Sequence, residues 1–230
     1  MIERNIGYFT LDNASNNDTA IRCIAAKLEL LSIKFDPVKR RLQCLGHIIN
    51  LVVKAFLWGN DPERFEQEAD SLADQENYEA ELLLWWKRGP LGKLHNIVQW
   101  IGRSPQHQDE YAEKVRQLNP ESTAAALVQG NVTRWGGDYE DLKRALHQRD
   151  ALEEFVSTAI QHNQHGEQDA QVTAPKYDEL TPEDCSISTD IMQFLQPFRM
   201  WQLMLQAHHM QGALYDVLPA MDELLLHMED

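Results

Sequence analysis

Apolar positions recur at spacings of three and four along most of this 230-residue chain, the period of helices that cover one face. Ile21, Ile24, Ala25, Leu28, Leu31 and Phe35 predict an amphipathic helix from Thr19 to Phe35, with Asn16, Asn17 or Asp18 placed to cap it. Asp36-Pro37 ends that pattern, because proline has no N–H to give a helix. A short extended piece over Val38 to Leu42 then leads into a second helix over 45–58. Pro62 opens a helix in the acidic stretch 61–81, and Leu82 to Trp86 supply an apolar cluster. Gly89-Pro90 marks a break before a helix from Leu91 to Ile101, and Ser104-Pro105 opens another that ends near Asn119-Pro120. One helix is predicted over 138–162, anchored by Tyr139, Leu142, Leu146 and Phe155. Ile187, Ile191, Phe194, Leu195 and Phe198 form a further stripe, kinked at Pro197. Leu214, Val217, Leu218, Met221, Leu224, Leu225 and Met228 form the last one.

Two stretches break the period. Residues 6–11, IGYFTL, are β-branched and aromatic and stop at the turn formers DNASNND, which predicts one buried strand. Residues 163–184 hold few apolar members and read as an exposed loop. The chain is therefore mainly α with a small α/β part at its N-terminus. A single strand cannot satisfy its own backbone groups, so the deficit of strand partners leads us to expect a truncated sheet.

Composition narrows the classes. A hydrophobic fraction of 43% supports a substantial core, and no signal-like or membrane-length apolar run is present, so a soluble intracellular protein with no membrane partner is expected. Cys23, Cys44 and Cys185 are too few and too scattered for a disulfide framework. The net charge of −15 opposes long-range attraction to nucleic acid, although it is uneven. Residues 1–60 hold eight Lys and Arg against five Asp and Glu, a balance of +3 that leaves −18 for the remainder. DNA contact would thus be local, and tight contact would call on another segment or subunit.

Three places carry candidate chemistry. Asp12 ends the predicted strand, where a carboxylate can join others in holding divalent cations for phosphoryl transfer; an Asx-turn leading into a helix is the other reading. Cys44 and His47, three apart on a helix, make half a zinc site with no second pair at ligand spacing; a buried Cys and a hydrogen-bonded His at a helix start is the alternative. Arg134-Trp135 can pair a phosphate with a base-stacking platform, or Trp135 can be plain core.

These segments occur in one order: LDNASNND, then QCLGHIINLVVKAFLWG, then VTRWGGDYEDLKRAL, followed by LQPFRMWQLMLQ and YDVLPAMDELLLHME. The succession resembles the central part of hAT-superfamily DNA transposases, fungal members especially. The resemblance implies a partial ribonuclease-H-like catalytic core over 1–43 and a large helical insertion domain over 44–230, with the exposed loop at about 163–184. It implies that Asp12 is the second aspartate of an acidic triad, a catalytic residue and ligand of Mg²⁺ or Mn²⁺. It implies DNA-handling roles for Cys44, His47, Arg134 and Trp135, the Trp stacking on a flipped base. A nuclear protein acting on transposon ends would follow. The first triad aspartate and the final glutamate have no counterpart here, and Gly136-Gly137 stands where the family more often has Asn-Ser. The expectation is an internal fragment, related to metal-dependent DNA cleavage and strand transfer but inactive alone and holding no metal stably. A helical protein-binding module derived from a transposase, with a protein partner or self-association, is the alternative.

Overall fold

Two strands and ten helices form among the described residues, in the order β1 (Phe9–Leu11), α1 (Ser15–Leu30), β2 (Arg41–Gln43), α2 (Leu45–Trp58), α3 (Pro62–Asp74), α4 (Tyr78–Trp86), α5 (Pro90–Arg103), α6 (Pro105–Leu118), α7 (Trp135–His147), α8 (Arg149–Gln164), α9 (Pro182–Gln206) and α10 (Val217–Glu229). This computed structural model describes residues 6–12, 14–59, 61–74, 77–122, 127, 135–164, 178–206 and 216–229. The chain divides into two compact units, one of residues 1–52 with 200–230 and one of residues 53–199. None of the described helices is long and apolar enough to cross a membrane.

In the first unit, β1, α1 and β2 make a strand–helix–strand crossover. The strands pair in parallel, with Phe9 opposite Arg41, Thr10 opposite Leu42 and Leu11 opposite Gln43. Backbone bonds from Phe9 N–H to Arg40 O (2.9 Å) and from Cys44 N–H to Leu11 O (3.0 Å) extend the pairing at both ends. Two expectations are corrected. The strand is not buried, since Phe9 and Leu11 are half-covered and Tyr8 is 64% exposed, because the described sheet holds only these two strands. The helix predicted over Thr19 to Phe35 starts at Ser15 and stops at Leu30. Its end is a Schellman turn: Ile33 N–H reaches Leu28 O and Ser32 N–H reaches Glu29 O, both at 2.9 Å, with Ser32 at φ 59°. Phe35 continued the apolar spacing for a different reason, since its ring meets Phe9 edge-on at 5.8 Å.

The second unit is helical. Its core gathers Leu94, Ile97, Trp100 and Ile101 of α5, Tyr111 and Val115 of α6, Leu142 of α7 and Leu152, Phe155 and Val156 of α8. Ser104 caps α6 by accepting the His107 N–H at 3.3 Å, with Pro105 at the first helical position. The helix expected over 138–162 is two helices parted at Gln148. No Gly or Pro marks that break, and backbone bonds from Gln148 N–H to Arg144 O (2.9 Å) and from Leu152 N–H to Gln148 O (3.0 Å) run to either side of it. Gln148 is fully buried, accepts the Tyr111 hydroxyl at 2.8 Å and donates to Ser122 Oγ at 2.8 Å.

The start of α9 is a reciprocal cap: Thr181 Oγ1 accepts the Asp184 N–H at 3.1 Å, and Asp184 Oδ2 accepts the Thr181 N–H at 2.9 Å. Lys93 Nζ ties that carboxylate to α5 at 2.6 Å. Of the stretch expected as an exposed loop, residues 163–164 end α8 and 182–184 begin α9; residues 178–181 are the other described part, and Asp178 among them is fully buried, its Oδ1 held by Trp86 Nε1 and by Asn96 Nδ2 at 3.1 Å. The low count of apolar residues concealed it, because what holds it inside is the pair of hydrogen bonds to Oδ1, while Oδ2 is buried with no partner among the described residues. α9 continues through Pro197 to Gln206, and Leu214, the first expected anchor of the last helix, lies outside the described residues.

Candidate functional site

Parallel pairing sends both strands out at the same end of the sheet, the end at which open α/β sheets place their ligands. Asp12 directly follows β1 and Cys44 directly follows β2, and the Cys44 N–H to Leu11 O bond holds the two exits together. Cys44 is half-buried at the start of α2, and its carbonyl accepts the N–H groups of His47 (3.0 Å) and Ile48 (3.1 Å). His47, also half-buried, therefore stands on the first turn of that helix. The structure thus brings together three of the five residues singled out by sequence. Trp135 begins α7 in the other unit, its side chain outside what is described, and Arg134 lies outside the described residues altogether.

Asp12 is exposed, and its carboxylate organises the turn between β1 and α1. Oδ1 accepts the Ala14 N–H at 3.1 Å and the Asn17 side-chain amide. Arg41 of β2 braces the same turn, with Nη2 on the Asp12 carbonyl and Nη1 on Asp18 Oδ1, each at 2.9 Å. The sequence marks Asn17 only as a candidate cap of α1 and does not single out Arg41; an arginine in a strand beside a turn rich in Asp and Asn is the signal that was there to read. A two-metal phosphoryl-transfer site needs several carboxylates on one point. Among the described residues no three His, Cys, Asp or Glu side chains are placed to hold a metal ion. The donor set around Asp12 does not fit such a pair of ions, and no cleavage step follows from it.

Toward the entry end of the strands, the C-terminal half of α1 and the segment 32–40 border an open groove of about 870 Å³. Arg22, Lys34 and Arg40 line it together with Glu29 and Asp36, and Phe35 supplies an aromatic wall. Arg40 is held in place by the Ile6 carbonyl at 2.8 Å and by the Phe35 ring, 5.5 Å from its centroid. Backbone N–H groups of Lys39 and Val38 bond Asp36 Oδ1 and hold its carboxyl below the usual range. The groove is the local expression of the basic balance read from residues 1–60.

Residues 42–174, more than half of the chain, match the family model of the ZBED1 RNase-like helical domain. The match starts within β2 and takes in Cys44, His47, Arg134 and Trp135, while Asp12 precedes it. No curated protein and no solved structure matches the chain.

Proposed function

Because the chain belongs to the ZBED1 RNase-like helical domain family, which is derived from hAT transposases, we propose that it is a DNA-engaging hAT-type chain that does not cut DNA by itself. In this reading residues 1–43 are a partial ribonuclease-H-like core, residues 44–230 the helical insertion, and the place of work is the nucleus. The observation that carries it is the parallel register that sets Asp12 beside Cys44 and His47 at the strand exits. Cys44 and His47 contact DNA near that edge, and Arg134 with Trp135 contributes a phosphate contact and a stacking platform. Asp12 serves as a ligand of Mg²⁺ or Mn²⁺ only where further carboxylates, beyond the described residues, meet it.

The reading is tested with a DNA hairpin bearing an unpaired base at its tip, at physiological salt, which screens the long-range repulsion from the net charge of −15. The wild-type chain is expected to bind it, and Trp135→Ala to weaken binding by about 5- to 150-fold, the equivalent of about 1–3 kcal/mol of base stacking. Equal affinity of the two proteins would remove Trp135 from the interface. Incubation with Mg²⁺ or Mn²⁺ is expected to leave the DNA uncut, and cutting that Asp12→Ala abolishes would refute the absence of cleavage.

A second reading, a helical protein-binding module, is favoured by α10. Ala220 and Leu224 are buried, whereas Leu218, Met221, Leu225 and Met228 repeat at spacings of three, four and three and are 42–70% exposed. Asp222 and Glu229 border this stripe, which suits a helix with basic flanks. Asp222→Lys with Glu229→Lys should abolish capture of a synthetic Leu/Lys heptad peptide while leaving hairpin DNA binding intact; a wild-type chain that ignores the peptide ends this reading.

A further inference from the structure

Within the second unit, α3, α4, α5 and α7 surround a cavity of about 40 Å³ whose lining is more acidic than a helical core requires. α3 contributes Glu66 and Phe65, α4 Trp85, α5 His95, and α7 Asp138 and Asp141 one turn apart. Lys54 of α2 faces this group, its Nζ 2.5 Å from Glu66 Oε1, with 11% and 18% of the two side chains exposed. Three carboxylates therefore meet one ammonium. Asp138 Oδ2 and His95 Nε2 are both sealed from solvent and have no hydrogen-bond partner among the described residues. The His95 ring lies flat on Trp85, centroids 3.5 Å apart, so it cannot swing out to water without breaking that stack.

A carboxylate with a sealed oxygen that shares one ammonium with two other carboxylates is more costly than a neutral carboxylic acid in the same place. We propose that this cavity is a proton-binding site, in which one proton on Asp138, within the Glu66, Asp138 and Asp141 group, keeps the first turn of α7 seated on α3 and α5. Loss of the proton frees that turn, at whose first residue Trp135 stands. The site is independent of any DNA role. Every neighbour points the same way except two. Burial, followed by repulsion from Asp141, pushes the Asp138 carboxyl up to about 8, with Lys54 opposing and Glu66 adding. The positive end of the α7 dipole also opposes, but at a helix terminus its effect is small beside that of burial. His95 supplies no counter-charge, because burial, with Arg103 nearby, takes its pKa down to about 3 and leaves the ring neutral. Arg88 is engaged over the outer Phe65 face, 4.1 Å from the centroid.

The sign follows from linkage. Between the ordinary value of 3.8 and about 8, the folded chain holds a proton that the unfolded chain has released. Stability from this group is thus fully present below that window, falls as pH rises through it, and is level above it. Urea unfolding of wild-type and Asp138→Asn chains across the window tests this. The unfolding constant of the wild type should rise about tenfold per pH unit relative to that of the variant, the slope of one proton. Should the variant not fold, a carbon NMR titration of the wild-type Asp138 carboxyl serves instead, with a midpoint expected near 8 and faster amide exchange in the first turn of α7 above it. Parallel stability profiles, or a carboxyl that ionises near 3.8, would overturn the proposal.

Discussion

Gly92→Ala is expected to cost about 3 kcal/mol or more, at the upper end of what overpacking does. A Cβ on Gly92 would lie 1.8 Å from the Trp85 carbonyl oxygen and 2.5 Å from its carbon. Those atoms are the backbone of α4, so no rotamer change relieves the clash and the two helices must part. The strain would then reach the aromatic group around Trp85, which meets Trp58 and Phe65 edge-on at 5.5 and 5.0 Å and stacks on His95. In a chain of this size the loss corresponds to a Tm lower by about 6–12 °C. Urea and thermal unfolding measure it. A variant within about 0.5 kcal/mol of wild type, the range of an ordinary surface change, would show that α4 and α5 do not approach as described.

Asp178→Ala is expected to be nearly as damaging, for a polar reason. The Asp178 carboxylate accepts Trp86 Nε1 and Asn96 Nδ2 on Oδ1 and is itself fully buried. Its removal takes the acceptor from the Asn96 amide, which is 2% exposed, and from the half-buried Trp86 indole, at about 1–3 kcal/mol for each donor left unsatisfied. Asp178→Asn keeps an acceptor oxygen in the same position, and burial already raises the carboxyl above its usual range, so the amide should be far milder. The difference between the two variants isolates the acceptor from packing. Amide exchange in residues 178–184 gives the local readout, since the Lys93 to Asp184 contact and the α9 cap follow directly along the chain. Equal stability of the two variants would mean that the hydrogen bonds contribute nothing.

Apolar periodicity and caps made most of the helices legible before any coordinates. α6 is the clearest case, since Ser104, Pro105 and the apolar spacing agree on its start. In the second unit the places where sequence misled share one cause, which is that periodicity reports the covered face and is blind to burial achieved through hydrogen bonds. Gln148, between α7 and α8, goes inside on Tyr111 and Ser122, and Asp178 on Trp86 and Asn96, neither with an apolar or breaker signal. Helix α1 ends early because Ser32 takes a left-handed conformation that nothing in its residue type announces. At the candidate site, the turn at Asp12 and the helix start at Cys44 were legible locally. Their adjacency was not, because it arises from pairing across thirty-two positions. Asp138 was hidden in the same way, since its shift comes first from burial against helices distant in sequence and only then from Asp141 one turn along.

The parallel register also says which kinds of change the Asp12 edge tolerates. Its two exits are set side by side by hydrogen bonds between β1 and β2, and not by the amount of chain that connects them. Lengthening the exposed connection between α1 and β2 adds only about 0.6 kcal/mol of closure entropy for each doubling. A single residue inserted within β2 is a different matter, because it turns every following side chain to the opposite face and carries Cys44 away from Asp12. Relatives that share this edge should therefore vary freely in the spacing between the aspartate and the Cys-x-x-His, while keeping the parity of the few residues that lead into each.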